Sequence, residues 1–406
     1  MPPRLVIVGA NLTGATAAAT LREEGFDGEV MLIGAEAHPP YERPPLSKEY
    51  LRGEQPFDAG LVRPPDWYAE QGIEARFGVR VERIDAHERA AFLEGGERVA
   101  YEGLLLATGG RARKLRGPPS ERVLSLRTLE DADRIRSHLA PGRRLVVVGA
   151  GFIGAEVAAS ARTVGAEVTV LEMQATPLVR AIGPEMGQLY ADIHRERGVD
   201  LRTGEGVEGV EETSAGVLVR TTAGSNIEGE AVVAGIGIEP NVDLAVSAGI
   251  AVDNGIVVDE RCRTSAEGVY AAGDVANHFH PLFGHRMRVE HYDNALKQGV
   301  AAARSMLGRG EPFDDPHWFW SDQYEYNLQY AGFAATWDRI VVRGSMEERD
   351  FVAFYLKDGR VLAALGLNRG REVRRAMRLI GSRAAPERRL LEDEGVDLRT
   401  LASSET

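Results

Sequence analysis

A chain of 406 residues is long for one core, so two to three domains are expected. Hydrophobic residues at 44% and charged ones at 27% describe an ordinary water-soluble fold and exclude a disordered, collagen-like or membrane-spanning chain. The 48 basic and 61 acidic side chains leave a net charge of −13, which argues against nucleic acid or anionic lipid as main partner, and the single cysteine, Cys262, excludes mechanisms built on a cysteine pair or a four-thiolate cluster.

The chain opens on Met1-Pro2-Pro3-Arg4 and enters a strand-like apolar run, Leu5 to Val8, without the pattern of a secretory leader. No run approaches the roughly 20 apolar residues that span a bilayer, so a cytoplasmic protein is expected. After the strand come Gly9, Asn11 and Gly14, a small-residue helix, and a second strand from Glu29 to Ile33. Shifting the sequence by 140 positions brings the unit back. Leu5, Val6, Val8, Gly9, Ala10, Gly14, Ala15, Ala18, Ala19 and Gly25 recur as Leu145, Val146, Val148, Gly149, Ala150, Gly154, Ala155, Ala158, Ala159 and Gly165. Glu167 to Leu171 repeats the second strand.

Two βαβ units with Gly-rich turns point to two dinucleotides. In such a turn the first glycine bends the chain out of the strand, the second lets backbone approach a pyrophosphate, and the third lets helix and strand close. Gly149, Gly151 and Gly154 supply all three. The first copy carries Asn11 at the middle position, so its backbone either takes a left-handed conformation there or stands further from its ligand. An acid at the end of the second strand should take the adenosine ribose hydroxyls. Glu172, eighteen residues beyond Gly154, would repel a 2′-phosphate and favour NADH over NADPH; Glu36, after Gly34-Ala35, is the first copy's candidate.

Between and after the repeats lie two buried strands ending in small residues, Leu104 to Thr108-Gly109 and Gly268 to Gly273-Asp274, where the chain would pass close to a flat ligand. Asp274 could bond the ribityl hydroxyls of FAD. Lys48 follows two prolines that stiffen its loop, and a cation beside a flavin would favour the reduced anion. Glu156 lies on the first turn of the second repeat's helix, where a carboxylate also serves the helix dipole. Trp318, Phe319 and Trp320 could stack on a ring or fill a core. His278, His280 and His285 have donor-rich spacing but read as a solvated loop, so no metal is assigned, and Cys262 reads as a strand or turn residue without chemistry. From Trp318 onward, alternation such as Ile340 to Arg343 and Phe351 to Leu356 predicts a small antiparallel sheet. Between Val361 and Arg389, the eight arginines Arg369, Arg371, Arg374, Arg375, Arg378, Arg383, Arg388 and Arg389 face only Glu372 and Glu387, a local +6 that suits docking of an acidic protein or a solvated helix face.

Tyr41-Glu42-Arg43-Pro44-Pro45-Leu46-Ser47-Lys48, Arg127-Thr128-Leu129-Glu130-Asp131, the Gly273-Asp274 segment and Trp318-Phe319-Trp320-Ser321-Asp322-Gln323 together resemble the NADH-dependent, FAD-containing ferredoxin reductases of bacterial oxygenase systems, over about residues 4 to 400. The resemblance implies FAD on the first repeat, in contact with Gly9, Asn11, Thr13, Gly14, Glu36, Thr108, Gly109 and Gly273. It places Lys48 near flavin N5, Arg43 and Arg127 near the phosphates or adenine end, and the Val81 backbone on adenine. Asp274 would hold the ribityl chain, Tyr292 the pyrimidine side, and Trp320 the isoalloxazine. NADH would lie on Gly149, Gly151, Gly154 and Glu172, with Glu156 on its carboxamide; Lys48, Glu156 and Trp320 would thus be the residues at the chemistry. Asn11, Thr13 and Ala35 depart from the family pattern and leave the FAD ribose contacts open.

The implied fold is α/β, with two Rossmann-like dinucleotide-binding domains plus a C-terminal α+β domain, a glutathione-reductase-like arrangement. FAD would occupy residues 1–110 and 236–318, with the return crossing at Gly235 to Pro240. NADH would occupy 111–235, and 319–406 would form the interface domain. The expected activity is electron transfer from NADH through FAD to an acidic [2Fe–2S] ferredoxin serving a P450 or Rieske oxygenase. Two alternatives remain at this point: an NADH oxidase or disulfide reductase, disfavoured by the missing cysteines, and a flavin-based redox-sensing binder. The oligomeric state is open.

Overall fold

The structure, a computed structural model, describes residues 2–117 and 120–403. Its first sheet has five parallel strands in the order Val269–Ala271, Gly103–Leu106, Arg4–Val8, Glu29–Gly34 and Ile73–Phe77. The first four of these strands are almost continuously apolar because both faces are covered, whereas the edge strand Ile73–Phe77 carries Glu74 and Arg76. Helix Leu12–Glu23 follows the first strand and lies beside helix Tyr292–Met306. A Cβ on Gly299 would stand 2.7 Å from the Thr13 carbonyl oxygen, so glycine sets how closely the two helices pack. The strand Val269–Ala271 belongs to this sheet although some 160 residues separate it from Gly103–Leu106, so the chain leaves the unit and returns.

The excursion builds a second parallel sheet, in the order Asp200–Thr203, Glu167–Glu172, Arg144–Val148, Ala231–Ala234 and Val123–Ser125. The outgoing and returning crossings pair with each other: Gly110–Ala112 runs antiparallel to Ile238–Pro240. A Cβ on Gly110 would lie 2.8 Å from the Glu239 carbonyl oxygen, which explains the small residue there.

The last sheet is antiparallel, ordered Trp318–Gln323, Tyr326–Gly332, Arg360–Leu367, Asp350–Lys357 and Arg339–Ser345. Helix Gly370–Gly381 buries Val373, Ala376, Leu379 and Ile380 against it and exposes Arg371, Arg374 and Arg378. The +6 patch is partly answered within the fold, since Arg369 pairs with Asp350 and Glu394, Arg388 with Glu392, and Arg389 with Glu387.

One expectation needs correction, and one left open is settled. His278 and His280 are not in a solvated loop; they lie on strand Ala276–His280, paired with His285–Arg288, and are 1% and 0% exposed. Burial pushes His278 down to about 3, so its ring is neutral. Only His285 is exposed. At Asn11, where two arrangements were open, the backbone is extended, with φ of −132° and ψ of −171°, and its side chain caps the helix that follows. Cys262 is buried at a positive φ of 62°, and burial pushes its thiol up to about 12. Among the described residues, no helix is long and apolar enough to cross a membrane.

Candidate active site

The carboxyl ends of the strands Arg4–Val8, Gly103–Leu106 and Val269–Ala271 open on a cleft, as expected for a ligand site in a parallel α/β sheet. Of the residues singled out above, Asn11, Thr13, Arg43, Lys48, Gly109, Arg127, Glu156, Asp274, Tyr292 and Trp320 line it. Gly9, Gly14 and Gly273 stand behind the wall and shape the turns. A Cβ on Gly9, at φ +120°, would come 2.1 Å from the Ala107 carbonyl oxygen, and one on Gly14 would come 2.0 Å from that of Gly9. The second repeat is built alike: a Cβ on Gly154 would meet the Gly149 oxygen at 1.9 Å, and Gly149 itself has φ +92°. Gly151 differs. A Cβ there would find only the Gly235 oxygen at 3.9 Å, so its lack of a side chain clears space toward solvent, where a ligand can approach.

At the centre of the cleft, Lys48 and Glu156 meet from opposite units, with Nζ 2.7 Å from Oε2. Both are nearly buried, at 5% and 3% exposure. Glu156 also accepts from Ser47 Oγ at 2.5 Å and from Ser321 Oγ at 2.7 Å, so one carboxylate ties together the first unit, the second unit and the C-terminal sheet. Desolvating such a pair is expensive unless its remaining lone pairs are satisfied, and the two serines take up all but one of them, on Oε1. Ser47 and Ser321 were missed as site residues; they lay in plain view between Leu46 and Lys48 and between Trp320 and Asp322.

A second set of contacts lines the other end. Arg127 Nη2 donates to Asp274 Oδ2 at 2.7 Å and its Nε to the Gly110 carbonyl oxygen at 3.0 Å. Arg43 donates to Glu36 Oε1 at 2.6 Å and to the Arg127 carbonyl oxygen, while Tyr41 donates its hydroxyl proton to Glu36. Glu36 therefore holds the Tyr41–Arg43 loop. Glu172 accepts from the Ala150 amide at 2.6 Å and from the Gln174 amide at 2.8 Å, which fixes the second Gly-rich turn to its strand end. Thr108 exchanges hydrogen bonds with Asn241 at 2.7 and 2.9 Å, off the cleft wall. Val81 is also outside the wall, buried at the start of strand Val81–Asp85.

Aromatic rings close the cleft. Tyr292 and Trp320 meet edge to face at 5.4 Å, and Trp320 stacks on Trp318 at 5.3 Å. Tyr292 donates to Glu42 at 2.6 Å; burial first, and this bond second, hold its phenol well above the usual range. Two wall residues escaped sequence reading. Burial pushes the Glu290 carboxyl up and drops His291 to about 4. Nδ1 of His291 is buried with no hydrogen-bond partner among the described residues, a donor or acceptor left for a bound group. An apolar, aromatic slot flanked by a cation, Gly-rich turns and an orphaned imidazole nitrogen fits a flavin and a nicotinamide.

Comparison with known proteins agrees. The pyridine nucleotide-disulphide oxidoreductase family matches residues 3–299, and the reductase C-terminal family matches 318–402. The ferredoxin–NAD(+) reductase component of the anthranilate 1,2-dioxygenase system of Burkholderia cepacia is 39% identical over 399 residues, covering 98% of each chain. Putidaredoxin reductase of Pseudomonas putida is 39% identical over 410 residues, covering 98% of this chain and 97% of its own. The reductase in a covalent putidaredoxin reductase–putidaredoxin complex superposes with a TM-score of 0.95 at 39% identity, covering 99% of both chains. The chain belongs to the pyridine nucleotide-disulphide oxidoreductase family and, within it, to the group of ferredoxin reductases of oxygenase systems.

Proposed function

We propose that this protein is an NADH-dependent, FAD-containing reductase that passes electrons to an acidic [2Fe–2S] ferredoxin serving an oxygenase. The observation that carries the reading is the buried Lys48–Glu156 pair where the two repeats face each other across an aromatic cleft. The names of its relatives support the partner and the oxygenase. FAD, when bound, accepts a hydride from NADH and releases electrons one at a time. The chain's own residues position and polarise. Lys48 holds a positive charge in a nearly dry wall, where it favours an added negative charge more than it would in water. Glu156 orients Lys48 and presents an acceptor to a carboxamide. Tyr292 and Trp320 confine a planar ring and exclude water, and Asp274, held by Arg127, offers acceptors to hydroxyls.

On this reading the first repeat with Glu36, Arg43, Val81, Thr108, Gly109, Arg127, Gly273 and Asp274 serves FAD, and Gly149, Gly151, Gly154 and Glu172 serve NADH. The domains are 1–110 with 236–318, 111–235, and 319–406, although the last sheet already begins at Trp318. We place the protein in the cytoplasm. A disulfide-reductase reading finds no support in the chain, because its one cysteine is a buried thiol outside the cleft wall. The test is cytochrome c reduction by NADH with and without an acidic [2Fe–2S] ferredoxin. Strong dependence on ferredoxin and preference for NADH over NADPH are expected, and equal rates without ferredoxin would overturn the proposal.

A further inference from the structure

His278 and His280 point to one face of their strand, because side chains two residues apart share a face. His317 joins them from the segment that leads into the C-terminal sheet. The three rings are 1%, 0% and 4% exposed, and one donor nitrogen from each lies within 4.8 Å of the other two. The ring centroids are 5.4, 4.7 and 5.6 Å apart. Three imidazoles bound tetrahedrally through nitrogens at about 2.0–2.1 Å place their ring centres about 5 Å apart, the spacing seen here.

Hydrogen bonding singles out the free nitrogens. His280 Nε2 lies 3.1 Å from the Asp315 carbonyl oxygen, which makes Nε2 the protonated nitrogen and leaves the Nδ1 lone pair without a partner among the described residues. This is the arrangement by which a backbone carbonyl sets the tautomer of a metal-binding histidine. Among the described residues neither ring nitrogen of His278 finds a well-formed hydrogen bond, with the Met287 backbone as a weak polar neighbour. His317 Nε2 is 2.8 Å from Met287 Sδ, and Met287 stands opposite His278 in the strand pair. Burying this many unsatisfied nitrogens weakens a fold unless something binds them.

The donors also choose the ion. Three neutral imidazoles and an adjacent thioether, with Phe283 and Phe313 packed on the rings and, among the described residues, no carboxylate oxygen in the cluster, suit a soft ion of low charge. The nearby charges are of both signs: Asp314 and Asp315 toward His280, Arg286 toward His278, and Lys297 toward His317. We infer that His278, His280 and His317, with Met287 beside them, form a buried binding site for one copper(I) ion that clips the Ala276–Arg288 hairpin to the start of the C-terminal sheet.

The test uses the flavin-loaded protein, given copper(I) anaerobically from a chromogenic chelator, with zinc(II) in parallel. One copper per chain is expected after gel filtration, with a rise in Tm and weaker zinc binding. His278→Phe and His317→Phe should weaken copper at least tenfold while keeping the flavin spectrum, and His285→Ala should change nothing. Absence of stoichiometric copper, equal binding in the histidine variants, or tighter zinc would overturn the inference. Should those variants fail to fold, X-ray absorption of the copper-loaded wild type decides: imidazole scattering from two or three rings supports the site, and its absence sinks it.

Discussion

The two Gly-rich repeats share sequence and topology yet finish their turns differently. In the first, Asn11 caps its helix, its Oδ1 accepting from the Gly14 amide at 3.2 Å and its Nδ2 donating to the Ala107 carbonyl oxygen at 2.6 Å. In the second, Gly151 caps without a side chain, and the helix N-terminus keeps its amides for an anion. The strand-end acids diverge as well: Glu172 fastens its own turn through Ala150, whereas Glu36 fastens a neighbouring loop through Tyr41 and Arg43. One copy is knitted into the body of the protein and suits a resident cofactor. The other leaves its donors open, which suits a nucleotide that comes and goes.

The strongest test severs the link between the copies. Lys48→Met leaves Glu156 buried beside two serines without its cation, and a loss of roughly 3–5 kcal/mol is expected from denaturant unfolding. Flavin reduction by NADH should slow about 100-fold in rapid mixing; an unchanged rate would remove Lys48 from the chemistry. Next, Gly14→Ala and Gly154→Ala drive a Cβ to about 2 Å from a carbonyl oxygen in one repeat each. Overpacking of roughly 2–3 kcal/mol should cost the first variant its flavin, while the second keeps flavin and raises KM for NADH about 30- to 150-fold. Identical phenotypes would dissolve the distinction between the copies.

A smaller effect concerns the tie between the second unit and the C-terminal sheet. His194 is buried, bonded to Gln323 Oε1 at 2.9 Å, and burial lowers it to about 4. Its folded pKa lies below the unfolded value, so below about 6.5 the unfolded chain binds the extra proton and stability falls with pH down to about 4. Between pH 6.5 and 5 this contributes a loss of roughly 2 kcal/mol. His194→Gln should remove that part of the pH dependence in unfolding titrations. The gentlest change, Asn11→Gly, makes the first turn resemble the second. A loss of about 0.5–1.5 kcal/mol is expected, with the freed Gly14 amide read out as a change in flavin affinity.

Much of the architecture was legible because it is local. Gly9, Gly14, Gly149 and Gly154 are each demanded by a clash within a few residues or with the adjoining strand, and continuous apolar strands announce a sheet covered on both faces. The Trp318 alternation likewise announced antiparallel strands. The state of Asn11 was not legible, since extended and left-handed conformations are both open to asparagine and only the Gly14 amide and Ala107 carbonyl choose between them.

By itself the sequence determined the two Gly-rich nucleotide folds and their order, because strand periodicity and turn glycines are set by neighbours in the chain. Only the tertiary structure decided that Glu156 meets Lys48, Ser47 and Ser321, across 108, 109 and 165 positions. It also decided that His278 and His280 are buried against His317 rather than solvated. Such partners are chosen by how sheets and hairpins pack, and packing leaves no period in the sequence to read.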